Sequence, residues 1–92
     1  MINHPYTKTT GTVSITSAEI ITAKPTRRYL RLENKSAADS LYLEYGAPAV
    51  ADNTAIKILP NTVYEPLVVS NASVNLIGEN GVTPTAYLLH EV

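Results

Sequence analysis

Ninety-two residues with no cysteine, and seven Lys plus Arg against eight Asp plus Glu, describe one small domain with neither a disulfide framework nor a bulk charge to attract nucleic acid or anionic lipid. A chain this short buries only about 60–70% of its unfolded surface. With two histidines nearly closing the zinc route as well, association with other chains is the remaining way to gain stability. The first residues, Met1 to Tyr6, carry neither the basic nor the apolar region of a secretory leader, and no apolar run is long enough to span a bilayer; synthesis in the cytoplasm is the expectation.

Apolar residues alternate with polar ones or come in short β-branched groups, and no window shows the i, i+3, i+4, i+7 spacing of a surface helix. Residues 1–11 read as an extended N-terminal arm and 12–92 as the folded domain. Thr12 to Thr16 alternates with Val13 and Ile15 on one face, and Glu19 to Ala23 offers a second run through Ile20 and Ile21. Pro25 then breaks the chain. Arg27 to Asn34 is the clearest strand, with Leu30 and Leu32 facing inward and Arg27, Tyr29, Arg31 and Glu33 outward; Arg28 shares the inward parity.

After a polar loop, Leu41 to Tyr45 repeats the pattern, with Leu41, Leu43 and Tyr45 inward and Tyr42 and Glu44 outward. The two runs read as a hairpin that sets Arg31 opposite Tyr42 or Glu44. Gly46-Ala47-Pro48 ends this strand, Ala55 to Leu59 is the next, and Pro60-Asn61 turns the chain. Val63 to Val69 is an edge or bent strand because Pro66 removes a ladder donor. Ser73 to Gly78 follows, Asn80-Gly81 signals a tight hairpin turn, and Thr85 to His90 closes the chain. Seven or eight short strands with turns every 8–12 residues specify an all-β fold, a single antiparallel sandwich of jelly-roll type.

Candidate chemistry is sparse. Neither His4 nor His90 stands near a nucleophile-elbow serine, so no catalytic residues are assigned and no enzyme is expected. Asp39, Asp52 and Glu79 fall in turns, where carboxylates hydrogen-bond their own backbone, and no metal site or cofactor is expected. The cations Lys24, Arg27, Arg28, Arg31 and Lys35 cluster, but Glu33 and Glu44 interrupt their face, so no nucleic acid partner is assigned. Tyrosine is the sole aromatic type, at positions 6, 29, 42, 45, 64 and 87. An outward pair, Tyr29 and Tyr42, beside arginines suits a protein contact, and a sugar-stacking platform is the competing use. Asn34-Lys35-Ser36 and Asn71-Ala72-Ser73 match the glycosylation pattern by chance, since no leader is expected.

The stretch Arg27-Arg28-Tyr29-Leu30-Arg31-Leu32-Glu33-Asn34-Lys35-Ser36, followed by Leu41-Tyr42-Leu43, Tyr45-Gly46-Ala47-Pro48, Leu59-Pro60 and Tyr64-Glu65, resembles a group of short tailed-phage virion proteins, the capsid decoration or cement proteins. The resemblance spans residues 27–65. Where that group carries glycine after the turn proline, this chain has Asn61, which reaches the same left-handed geometry at some cost. The resemblance implies a structural virion protein on the capsid surface that binds major capsid protein subunits and itself, as a homotrimer ahead of a homodimer. The candidate contact residues are Tyr6, Arg27, Tyr29, Arg31 and Tyr42, and on this resemblance the polar arm orders on the partner. The other function class is a carbohydrate-binding or structural module of a phage tail or fibre.

Overall fold

The computed structural model describes residues 7–92; Tyr6 and His4 lie outside the described residues. The described residues are all-β, with eight strands among them: β1 Thr7–Val13, β2 Ala18–Ile21, β3 Leu30–Asn34, β4 Leu41–Tyr45, β5 Ile56–Ile58, β6 Val63–Tyr64, β7 Val74–Gly78 and β8 Thr85–Glu91. They form two antiparallel sheets, β1-β8-β3-β6 and β2-β7-β4-β5, called here the first and second sheets. The pairs β1·β8, β2·β7, β3·β6 and β4·β5 are successive rungs of one long ribbon rolled into two layers, which is the jelly-roll arrangement.

Period-two burial drives the layering. Leu30, Leu32 and Leu89 from the first sheet meet Leu41, Leu43, Val74 and Leu76 from the second, and all seven are fully buried. Ile58, Val13 and Tyr87 complete this interior, with Ile20, Ile21, Ile56, Tyr45 and Tyr64 packed at its margin. Burying a Val, Leu or Ile side chain is worth about 1.5–3 kcal/mol, so these inward rows are the main force holding the sheets together.

Several boundaries differ from the sequence reading, each for a local reason. Residues 7–11 are not arm but the first part of β1, paired with β8 from Thr7↔Glu91 to Val13↔Thr85. Their threonines suit an edge strand despite the lack of large apolar groups. Ile15, expected inward beside Val13, lies beyond the strand end and is 57% exposed. Arg27 to Tyr29 precede β3, so the alternation that set Arg27 outward starts only at Leu30.

The two expected hairpins are crossovers between sheets. β3 pairs with β6 and β8, while β4 pairs with β5 and β7, so Arg31 faces neither Tyr42 nor Glu44. Two leucine rows of equal parity satisfy one core equally well from the same sheet or from opposite ones. The 35–40 connection selects the second arrangement through Asn34, which is fully buried. Its Nδ2 donates to Asp39 O (2.9 Å) and, across to the second sheet, Ile58 O (3.0 Å), and its Oδ1 accepts from Ser36 N (2.9 Å).

The 79–84 connection likewise runs from β7 to β8 in the other sheet. Asn80 there does not take positive φ; its side chain accepts from Val82 N and Thr83 N instead. Asn61 does take the left-handed geometry, with φ 58°, as does Gly46 at 74°. β6 is the short edge strand that Pro66 demanded.

Candidate protein-binding surface

A two-layer sandwich has two outer faces, and this chain treats them differently. On the second sheet Tyr42 points outward, as parity requires, yet it is only 7% exposed. Tyr42 pairs directly with Ile77 and Lys57, and the 46–55 connection folds back so that Ala49 and Ala55 pack on Tyr42 and Ile77. Ser17 Oγ accepts from Ala49 N at 2.8 Å and pins that loop, while Asp52 accepts from Thr54 N within it. Those Thr54 bonds hold the Asp52 carboxyl below its ordinary value. Lys57 Nζ sits 5.9 Å from the Tyr42 ring centroid, in cation–π range. Tyr42 is thus a covered ring rather than a contact residue; parity within the strand could not show this, because the loop that follows the strand is folded back over the ring by its bond to distant Ser17.

Arg27 is corrected in the same way. Its side chain is fully buried and its Nε donates to Glu91 Oε2 at 2.9 Å. Nη1 donates to Ser70 O (2.9 Å) and Ala72 O (2.7 Å), and Nη2 to Thr22 O (3.0 Å). One planar guanidinium therefore ties the β2–β3 connection, the β6–β7 connection and the end of β8 together, which a lysine's single ammonium could not match. It is an internal clamp, unavailable to a partner.

The outer face of the first sheet is open. Register places Lys8, His90 and Arg31 in one cross-strand row and Thr10, Leu88, Glu33 and Val63 in the next. Arg31 Nη1 donates to Glu33 at 3.3 Å and Lys35 Nζ to the other Glu33 oxygen at 3.1 Å. The Lys35 bond, aided by Arg31 and opposed by partial desolvation, holds the Glu33 carboxyl below its usual range. Tyr29 is half-buried, and its hydroxyl donates to Glu65 Oε2 at 2.5 Å.

Lys8, Tyr29, Arg31 and His90 line a hollow of about 400 Å³. Thr7, Lys24, Thr26, Arg28 and Val92 line a second of about 470 Å³. Of the five expected contact residues, the structure therefore brings Tyr29 and Arg31 together, takes Arg27 and Tyr42 inside, and leaves Tyr6 outside the described residues. Lys8, His90 and Glu65 were missed. His90 was legible, since inward Tyr87 and Leu89 force it outward; Lys8 was hidden by assignment to the arm. Arg28, expected off this face, is exposed at its end.

Among the described residues no group of three His, Asp or Glu could hold a metal ion. Of the three turn carboxylates Asp52 bonds within its own turn, whereas Glu79 accepts from Ser40 N at 2.6 Å and Asp39 from Asn80 Nδ2 at 3.2 Å, so these two tie the 35–40 and 79–84 connections together instead of their own backbone. Among the described residues no helix is long and apolar enough to cross a membrane. No family model, curated protein or solved structure matches the chain.

Proposed function

We propose that this chain is a structural virion protein of a tailed phage, which decorates or cements the capsid by binding major capsid protein subunits and associating with itself, as trimers ahead of dimers. The observation that carries the reading is the asymmetry of the outer faces: the 46–55 loop covers the second sheet, while the first presents a polar, tyrosine-bearing and partly apolar surface. Val63 there is 43% exposed, and beyond β6 Leu67 is fully exposed and Val68 87% exposed. Aromatic, arginine and aliphatic groups bounded by charge compose a usual protein contact. Many copies on a repeating shell would add weak contacts through multivalency. The jelly roll also occurs in capsid proteins, which supports the reading by analogy of fold only.

The competing carbohydrate reading keeps one support, the hollow beside the Tyr29 ring, whose size falls in the range of small-ligand sites. Its two-ring platform is not formed, because Tyr42 lies buried on the other sheet. The test is cosedimentation with expanded phage heads alongside the mass of the free protein. Saturable binding to shells by a free trimer or dimer is expected. Failure to bind heads, together with specific retention on a glycan array, would replace the proposal with the sugar-binding alternative.

A further inference from the structure

The open face ends in a corner of cations. His90 is the direct cross-strand partner of both Lys8 and Arg31, so three basic side chains stand in line across β1, β8 and β3. One position further along, Tyr29 and Val92 exchange backbone hydrogen bonds of 3.2 and 3.1 Å. Beyond that pair Arg28 and Lys24 line the neighbouring hollow. The two hollows thus flank the Tyr29–Val92 pair and hold four of the chain's seven Lys plus Arg.

The described residues lining the two hollows include no Asp or Glu. The nearest Asp and Glu side chains are engaged elsewhere, and Val92 O, at the second hollow, is taken by Arg28 N (2.7 Å) and Tyr29 N (3.2 Å). Glu91 points to the other side of the sheet toward Arg27, Glu33 is shared between Lys35 and Arg31, and Glu65 accepts from Tyr29. Lys8 and Arg31 stand on either side of His90 in this row, so an anion lying across it meets both charges. Arg31 keeps donors for it, since one of its five N–H groups accounts for the Glu33 bond.

We infer that this corner binds an acidic segment of a partner protein, with Asp or Glu carboxylates seated in the two hollows on either side of Tyr29. The inference rests on the reading that the partner is a protein, and it names that partner's chemistry. A protein segment fits better than nucleic acid for two reasons. A phosphate backbone gains affinity by neutralising a long run of charges, whereas this patch is compact and is bounded by Glu33 and Glu65; and the whole chain carries a net charge of −1. The apolar body of Tyr29 and the neighbouring Leu88 and Val63 also offer contact to the peptide between its acidic side chains.

The experiment is calorimetric titration of the full chain with capped hexaglutamate and, separately, with oligothymidylate, at low and then physiological ionic strength. Hexaglutamate should bind, more weakly as salt rises because surface charges are screened within a Debye length. Lys8→Glu combined with Arg28→Glu, both at exposed positions, should weaken binding at least tenfold, while Lys57→Glu on the covered sheet leaves it unchanged; melting curves confirm that the variants fold. Equal losses in both variants, no binding of hexaglutamate, or preference for oligothymidylate would overturn the inference. The head-binding assay separates it from the proposed function. Heads bound equally by wild type and the Lys8/Arg28 variant would sink the acidic-segment inference and leave the capsid reading standing. Hexaglutamate binding without head binding would do the reverse.

Discussion

Replacing Arg27 by methionine should be the most damaging single polar change in this domain. The substitution keeps most of the side-chain volume but removes the guanidinium that meets Glu91, Thr22, Ser70 and Ala72. The Glu91 side chain is only 10% exposed, so its carboxylate is left nearly without water and without its cation. Breaking one side of such a pair is worth about 3–5 kcal/mol. A domain of this length holds roughly 5–14 kcal/mol in all, so the loss takes about a fifth or more of its stability. With a urea slope of about 1–2 kcal/mol per molar, the midpoint should fall by about 1.5 M or more.

Removing both charges, as Arg27→Met with Glu91→Leu, should destabilise less than the sum of the two single changes, since no ion is then stranded. The assay is urea unfolding of the four proteins followed by circular dichroism. A loss below about 1 kcal/mol for Arg27→Met would put the pair in the class of solvated surface bridges and refute the clamp, as would strict additivity in the cycle.

Other consequences follow from single sites. Asn34→Leu removes three hydrogen bonds that lock the crossover between sheets and should cost about 2–4 kcal/mol in thermal or urea unfolding; a loss within experimental error would refute its bridging role. Thr85 Oγ1 is buried and finds no hydrogen-bond partner, so Thr85→Val should be neutral or stabilising by about 1 kcal/mol. Gly78→Ala should be strongly destabilising, because the added Cβ would stand 2.7 Å from Thr85 Oγ1 and 2.9 Å from the Val13 carbonyl, and an unchanged midpoint would contradict that packing. Burial, and then the hydrogen bond with Tyr64, raise Tyr45 well above the ordinary tyrosine value. A raised folded pKa means that the contribution is complete below about pH 10, the unfolded value, and is lost as pH climbs from there toward the folded one. Ultraviolet titration should show Tyr45 ionising late, and Tyr45→Phe should blunt the alkaline loss of stability.

Alternation in 27–34, 41–45 and 73–78 was enough to establish an all-β chain, to name Leu30, Leu32, Leu41 and Leu43 as interior and to put Val74 and Leu76 on one face, because a strand's two faces are set by parity alone. The same pattern made Tyr29 and Arg31 outward, and it held for His90 as well. Parity is blind to which strands are neighbours. Two leucine rows bury equally well within one sheet or across two, and the choice was made by Asn34 reaching Ile58 across the interior. Whether an outward residue meets water also depends on how the chain doubles back: Tyr42 is closed off by the loop after its own strand, which remote Ser17 holds in place. Arg27 left the surface because the chain bends before β3 and the carbonyl of nearby Thr22, the distant carbonyls of Ser70 and Ala72, and Glu91 converge on it. Local periodicity determines faces; only long-range contacts decide adjacency, cover and the fate of a charge.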